Sequence, residues 1–259
     1  MTERTSRLSA AEIYDRVEAG AEEELERPFR SLAISAVAAG LTMGISGLGV
    51  AVLLHVLGGD RVGESVAYLA YPLGFLIVII GRQQLFTENT LFPVALVLRQ
   101  RRHLGRTLQL WGTVLAGNVL GTLLFALLVR TSALDPGTAS ELVTLGVGAG
   151  SRGFATVFWT GVVGGWLIAL AAWLVTASSD TIGQVVIIFL ITYLVGVGHF
   201  AHSVAGSAEV LSAVLARDLD AASYASWLAA AVLGNACGGV LIVTLLNYGQ
   251  VHPARSPRD

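Results

Sequence analysis

The sequence contains no lysine, a single cysteine and few charged residues of any kind. All 16 basic side chains are arginine, and charged residues make up 13% of the 259 residues. A soluble domain carries about 25% charged residues, whereas this chain is 54% hydrophobic with a mean hydropathy of +0.70. The lone Cys237 excludes a disulfide within the chain and argues against a thiolate metal site. The composition therefore predicts an integral membrane protein.

Motifs for cofactor or metal chemistry are also missing. The sequence has no phosphate-binding loop, no zinc-ligand spacing and no nucleophile elbow, and without lysine it has no Schiff-base residue. A net charge of −2 gives no reason to expect nucleic acid as a partner. We therefore expect neither an enzyme nor a bound cofactor or metal, with membrane lipid as the surrounding medium.

Six long apolar stretches fit the sequence, and the second and fifth are interrupted. The second begins near Val66, meets polar residues at 81–89 and resumes at 90–98, and the fifth begins near Gly183 and is interrupted at 196–203. Irregular backbone at membrane depth survives only where it is buried in protein or lines a cavity. The pattern predicts an all-α membrane protein of six transmembrane helices, with helices two and five broken at corresponding positions.

The third and sixth stretches share a second pattern that indicates an internal repeat. Each has a tryptophan near its start and then a Gly-Asn pair, Gly117-Asn118 in one and Gly234-Asn235 in the other. Close helix packing would explain the glycines alone. It would not explain the asparagines, because a carboxamide in hydrocarbon is costly unless it has partners. We expect both asparagines to hold the helix breaks through hydrogen bonds to backbone groups.

The distribution of charge predicts the domain boundaries and the orientation. A polar helix that opens on a Ser9–Glu12 capping box occupies residues 1–30. A six-span membrane domain follows at 31–249, with repeat one at about 31–130 and repeat two at about 154–249, and a tail at 250–259. Arginines concentrate near both termini and between the second and third spans. By the positive-inside rule, both termini are expected to be cytoplasmic.

The second break contains the leading site residue, His202. An ionisable residue inside a membrane segment is a functional candidate, and a histidine can offer a passing solute a hydrogen bond or a proton. The alternative is a structural histidine satisfied by backbone carbonyls. Thr87 in the first break can donate and accept, and we expect it within direct or one-water reach of His202. Leu85 and Phe86 beside it would form an apolar constriction, and His199 would cap the second break.

Two charged residues flank the first break. Arg82 and Glu88 are expected to be buried in protein and engaged with each other, with Gln83 or Gln84, or with a neighbouring protomer, because an unpaired charge at that depth is costly. The alternative is that Glu88 points into the pore. There it would repel anions and favour a neutral or cationic solute.

Together these segments resemble the formate/nitrite transporter family over about residues 33–248. The sequence YPLG at 71–74 with QLFT at 84–87 is similar to the family's second-span pattern, and AHSVA at 201–205 is similar to its fifth-span histidine motif. Both Gly-Asn elements resemble those of the third and sixth spans. The chain departs from the family pattern at Ala201, where the family has Glu, and at Gly206 and Gly165, where it has Asn. It also has only Arg152 where the family has Lys.

The resemblance implies an aquaporin-like fold of two inverted three-helix repeats. It implies a homopentamer with one pore per protomer in a prokaryotic cytoplasmic (inner) membrane. Family members pass small monovalent anions or weak acids such as formate, nitrite, lactate or hydrosulfide, often with a proton. In that picture His202 is the central histidine, Thr87 is its hydroxyl partner, Leu85 lies at the cytoplasmic constriction and Tyr71 at the outer one. The same pathway is expected to include Phe86, Phe75, Val195 and Ser203.

Two other functions remain open at this point. The same fold would carry a small neutral or cationic solute if Glu88 supplied a negative site in the pore. A chain whose pore is closed around His202 would instead serve as a membrane scaffold.

Overall fold

The computed structural model describes residues 8–58, 60–99, 103–131 and 133–251. Residues 1–7 and 252–259 of the predicted terminal segments, and the arginines at 101 and 102 that contribute to the predicted orientation, lie outside these ranges. The described residues form the helices α1 (Ala10–Glu26), α2 (Phe29–Leu57), α3 (Arg61–Ala67), α4 (Pro72–Ile80), α5 (Phe92–Arg99), α6 (Leu104–Val129), α7 (Pro136–Gly150), α8 (Phe154–Ala177), α9 (Thr181–Val197), α10 (Ala205–Ala216), α11 (Ala221–Cys237) and α12 (Leu245–Val251).

Five helical stretches in the described ranges are long and apolar enough to cross a membrane. They are Phe29–Leu57, Arg61–Ile80, Leu104–Val129, Phe154–Ala177 and Ala221–Val251. The apolar helices Thr181–Val197 and Ala205–Ala216 are each shorter than these. A helix of about 20 apolar residues is needed to span the hydrocarbon core. The chain is therefore an almost wholly helical integral membrane protein.

Helix α1 begins at the predicted capping box. The Ser9 N–H donates to Glu12 Oε2 at 2.7 Å, and the Glu12 N–H donates to Ser9 Oγ at 3.3 Å. Hydrogen bonds from the Ser9 backbone and side chain lower the pKa of the Glu12 carboxyl. The Tyr14 hydroxyl donates to the Ala95 carbonyl at 3.1 Å, so α1 is held against α5.

Two helix crossings of the same kind organise the two halves of the chain. Helix α2 crosses α6 at Gly40, where a Cβ atom would lie 2.1 Å from the Asn118 carbonyl oxygen. Helix α8 crosses α11 at Gly165, where a Cβ atom would lie 2.2 Å from the Asn235 carbonyl oxygen. Only glycine permits backbones to approach this closely. Each crossing fixes the position of the asparagine beside it.

Helix α7 was not predicted from the sequence. Asp135 caps it, with its Oδ1 accepting the Thr138 N–H at 2.9 Å, and Pro136 occupies the first helical position. Both are ordinary start signals. The glycines at 146, 148 and 150 have low helix propensity, which weakens the helical signal of the segment.

Candidate functional site

The chain follows the same backbone path at two places, 81–87 between α4 and α5 and 198–204 between α9 and α10. In the first, the Gln83 N–H donates to the Val78 carbonyl at 2.9 Å, and in the second the Phe200 N–H donates to the Val195 carbonyl at 3.1 Å. The corresponding residues lie 117 positions apart along the chain, from 83 to 200 and from 78 to 195. The two breaks are therefore built alike.

Asn118 bonds the first break from behind. Its Oδ1 accepts the Phe86 N–H at 3.0 Å, and its Nδ2 donates to the carbonyls of Ala36 and Gln84, both at 2.8 Å. These contacts use the acceptor and both donor hydrogens of the carboxamide. Two of them, from Phe86 and to Gln84, satisfy backbone groups of the break, and the third ties the asparagine to α2 through the Ala36 carbonyl.

Asn235 makes the corresponding set of bonds in the second break. Its Oδ1 accepts the Ser203 N–H at 2.8 Å, and its Nδ2 donates to the carbonyls of Gly161 and Ala201, both at 2.8 Å. Both asparagines are fully buried. The repeated Gly-Asn pattern of the sequence thus corresponds to a repeated set of hydrogen bonds.

The two breaks meet at His202 and Thr87. The His202 Nε2 lies 2.8 Å from the Thr87 Oγ1, so the expected contact is present as a direct hydrogen bond. Both side chains are buried, with Thr87 0% and His202 1% exposed. The pair joins the first half of the chain to the second through a buried hydrogen bond.

A second contact fixes the tautomer of His202. The Ala205 N–H donates to His202 Nδ1 at 3.1 Å, and a backbone N–H can only donate. Nδ1 is therefore the acceptor, and the proton of the neutral ring lies on Nε2. His202 Nε2–H then donates to Thr87 Oγ1, which leaves the hydroxyl hydrogen of Thr87 free to donate to another group.

Aromatic rings cover the His202–Thr87 pair on one side. The Phe75 ring packs edge-on against the His202 ring with 4.9 Å between centroids, and the Tyr71 ring lies 5.5 Å from that of Phe75. Phe75 is fully buried and Tyr71 is 5% exposed. These two predicted pathway residues form an apolar wall next to the histidine.

Leu85 and Phe86 are also buried and lie in the first break beside Thr87. The Phe86 ring stacks edge-on against Trp111 at 5.8 Å, and the Trp111 indole N–H donates to the Asn89 carbonyl at 2.8 Å. The first break is thus supported by an aromatic residue of α6 as well as by Asn118.

A cavity of about 330 Å³, named the outer cavity after the predicted orientation, is lined by Tyr71, Val195 and His202. Its charged and titratable lining consists of Glu64, Tyr68, Tyr71, Glu141, Arg152, His199, His202 and Glu209. His199 is held there by the Tyr68 hydroxyl, 3.1 Å from its Nδ1, and its Nε2 lies 3.5 Å from Glu64. The Arg152 guanidinium donates to the His199 carbonyl at 3.0 Å.

A second cavity of about 380 Å³, called here the inner cavity, lies against Leu85. Its charged lining consists of Arg16, Glu23, Glu24, Arg82 and Glu88. The outer and inner cavities share no lining residue. His202 lines the outer cavity and Leu85 lines the inner one, so the buried residues around the His202–Thr87 pair separate the two spaces.

Within the described residues Arg82 and Glu88 engage neither each other nor Gln83 or Gln84, and their expected engagement with a neighbouring protomer stays a prediction. Arg82 is exposed and forms no ion pair or hydrogen bond there, and Glu88 lines the inner cavity. The backbone of Arg82 has φ 52°, which directs its side chain differently from that of a helical residue. His199, expected to cap the second break, instead joins Tyr68 and Glu64 in the outer cavity.

The remaining predicted residues lie at the second break. Val195 is fully buried, lines the outer cavity and accepts the hydrogen bond of Phe200. Ser203 is 1% exposed, and its Oγ has no hydrogen-bond partner within the described residues.

Glu209 on α10 was missed from the sequence. It lines the outer cavity together with His202, and its carboxylate forms no hydrogen bond or ion pair in the described part of the chain. The signal was present, because Glu209 is the one charged residue of the apolar helix Ala205–Ala216, and such residues mark functional sites in membranes.

Comparison with known proteins gives consistent matches. A family model described as formate/nitrite transporter matches residues 11–249. The chain is 35% identical over 246 residues to the inner membrane protein YfdC of Escherichia coli (strain K12). The aligned region covers 93% of this chain and 79% of that protein.

Two solved structures share the fold. One, described as an FNT family ion channel, superposes with a TM-score of 0.84 at 20% identity, covering 92% of this chain and 98% of that one. The other, described as a pentameric formate channel with formate bound, gives a TM-score of 0.70 at 18% identity, covering 91% and 99%.

Proposed function

The chain belongs to the formate/nitrite transporter family, and on this premise we propose that it is a channel for small monovalent anions and weak acids. The observation that carries the proposal is the His202–Thr87 hydrogen bond of 2.8 Å, which stands between two cavities. The likeness to a pentameric formate channel with formate bound supports both this solute class and a homopentamer.

We propose that the membrane part consists of six spans in two inverted three-helix repeats, as in aquaporins. Span two comprises α3, α4 and α5 around the first break, and span five comprises α9 and α10 around the second. The matching hydrogen bonds of Asn118 and Asn235 support the repeat. On this reading the domain boundaries stay at 31–249 for the channel, with repeats at about 31–130 and 154–249.

Both termini are proposed to be cytoplasmic, in the inner membrane of a prokaryotic cell. The arginine distribution supports the orientation, and the name of the E. coli relative supports the location. The inner cavity, which α1 borders through Glu23 and Glu24, then opens to the cytoplasm.

The proposed orientation places Ser140, an exposed residue of α7, on the outer side of the membrane. A Ser140→Cys variant in a Cys237→Ala background should react with a membrane-impermeant maleimide added to intact cells. A control with permeabilised cells measures the total reactive thiol. Labelling that appears only after permeabilisation would place α7 in the cytoplasm and reverse the proposed orientation.

We propose that His202 acts as a neutral hydrogen-bond donor to the solute. Its Nδ1 is engaged by Ala205, so adding a proton to that nitrogen would break a bond in the first turn of α10. With the ring held in this way, Nε2–H polarises the Thr87 hydroxyl, whose free hydrogen can point toward a solute oxygen between Leu85 and Tyr71. A desolvated anion is unstable in an apolar constriction unless donors compensate it, and any proton that crosses is proposed to travel with the weak acid.

A flux screen tests the proposed function. Purified protein in liposomes should pass formate and nitrite faster than protein-free liposomes do, with slower passage of sodium and of neutral glycerol. Equal formate and nitrite rates in liposomes with and without the protein would instead support a membrane scaffold with a closed pore.

A second candidate is a channel for neutral or cationic solutes. The observation that favours it is the position of two carboxylates, Glu88 in the inner cavity and Glu209 in the outer one, on the two sides of the His202–Thr87 pair.

The two candidates predict opposite responses to removal of these charges. For an anion channel, Glu88→Gln and Glu209→Gln should each leave formate flux unchanged or raise it by up to about tenfold, because a repelling charge near the path is removed. The flux assay gives the measurement, and Glu22→Gln serves as a control because the exposed Glu22 lines neither cavity. If the wild type passes sodium and both variants lose that sodium flux, the result would favour a channel for cationic solutes.

A further inference from the structure

Three residues other than glycine have positive φ in the described ranges: Arg82 at 52°, His199 at 48° and Arg217 at 71°. Glycine adopts this left-handed region freely, whereas other residues do so at a cost. Arg217 ends helix α10, a common place for this conformation. Arg82 and His199 occupy corresponding positions in the two breaks, which calls for a different explanation.

Glycine is present in both breaks, but one residue earlier. Gly81 has φ −74° and Gly198 has φ −81°, both right-handed. Close approach explains these glycines, because a Cβ atom at Gly81 would lie 2.5 Å from the Ile77 carbonyl oxygen. Glycine therefore stands where space requires it, and the left-handed positions carry a long basic side chain and an imidazole. A strained residue at a cavity indicates a functional side chain.

The side chain of Arg82 is a free guanidinium at the inner cavity. It is exposed, lines that cavity and has no hydrogen-bond or ion-pair partner in the described part of the chain. The other charged groups facing the cavity are Arg16, Glu23 and Glu24 of α1 and Glu88 of the first break. Glu24 already pairs with Arg27 at 3.3 Å.

His199, at the corresponding position of the second break, is engaged. Its ring nitrogens face the Tyr68 hydroxyl and Glu64. The equivalent positions thus differ, with an unpartnered cation on the inner side and an imidazole with partners on the outer side.

We propose that Arg82 binds the anionic solute in the inner cavity, before the solute passes Leu85. A guanidinium presents parallel N–H donors that match a carboxylate or nitrite oxygen pair. This inference rests on the proposed function. It adds a specificity-determining residue that acts on one side of the membrane.

The test uses Arg82→Gly, which removes the side chain and suits the left-handed backbone. Arg217→Gly is the matched control, because it makes the same change at a left-handed arginine that lines neither cavity. Arg82→Lys restores the positive charge. Formate flux is measured against concentration with the solute on one known face of oriented liposomes, and thermal unfolding is followed in parallel.

Arg82→Gly should raise the half-saturating formate concentration on the inner face about tenfold, the loss of one charge-assisted contact. The half-saturating concentration on the outer face, and both values in Arg217→Gly, should stay as in the wild type. Arg82→Lys keeps the charge but not the parallel donors, so it should recover only part of the affinity. Thermal stability of Arg82→Gly should equal or exceed that of the wild type.

If the wild type conducts formate and Arg82→Gly leaves the half-saturating formate concentration on the inner face unchanged, this inference is overturned and the proposed function stays intact. An equal rise on both faces, or the same rise in Arg217→Gly, would also overturn it. Absence of formate flux in the wild type would remove the proposed function and this inference together.

Discussion

Replacing His202 by phenylalanine is expected to lower formate and nitrite flux by about 10- to 100-fold. The change keeps an aromatic ring against Phe75 and removes the Nε2–H donor. A hydrogen bond to a charged group contributes about 1.5–3 kcal/mol, and each 1.4 kcal/mol corresponds to about tenfold in rate or affinity. Stopped-flow measurement of anion entry into proteoliposomes gives the rates, with the oligomer checked by size-exclusion chromatography.

A matched control is available at His55, a half-exposed histidine that lies 3.4 Å from Asp135, away from both cavities. The same substitution there should leave flux at the wild-type rate. If a well-folded His202→Phe protein kept wild-type flux and pH dependence, the histidine would be structural and the transport path would lie elsewhere.

Replacing Asn118 or Asn235 by leucine is expected to prevent stable folding or assembly. Each substitution removes three hydrogen bonds and leaves a buried backbone N–H and a loop carbonyl without partners. A buried polar group without a partner costs about 1–3 kcal/mol, against a total stability of about 5–15 kcal/mol for a folded protein. The midpoint of thermal unfolding in detergent and the yield of oligomer are the measurements.

The control for this pair is Asn247→Leu, where the amide donates one bond, to the Val243 carbonyl four residues earlier, at 2.8 Å. That change should alter the midpoint little. The midpoint of thermal unfolding should fall by similar amounts in Asn118→Leu and Asn235→Leu, because the hydrogen bonds of the two asparagines correspond one to one. If Asn118→Leu lowered the midpoint and Asn235→Leu left it unchanged, the two asparagines would not have equivalent roles in the two breaks.

The contacts of the central pair and of the asparagines were predictable from the sequence. Polar interruptions in two apolar stretches indicate breaks, and a polar amide in hydrocarbon must find partners. These requirements follow from the membrane environment alone. They led to Asn118, Asn235, Thr87 and His202 without any knowledge of side-chain geometry.

The surroundings of the breaks were less predictable. The direction of the Arg82 side chain depends on one backbone angle, and the sequence gives no sign that a residue other than glycine adopts positive φ there. Membership of Glu209 in the outer cavity depends on the rotation of α10 about its axis. Helix α7 was not predicted, although Asp135 and Pro136 form an ordinary helix start signal, and its three glycines lower the helix propensity of the segment.

The central claim, that His202 and Thr87 act together on the solute, is tested most directly by a double-mutant cycle on formate flux. The cycle compares the wild type with the single variants His202→Phe and Thr87→Val and with the double variant that carries both substitutions. If the pair works as one donor unit, the double variant should lose no more flux than the worse single variant, with a coupling energy of about 0.5–3 kcal/mol. Losses that multiply, with no coupling between two side chains 2.8 Å apart, would contradict the account.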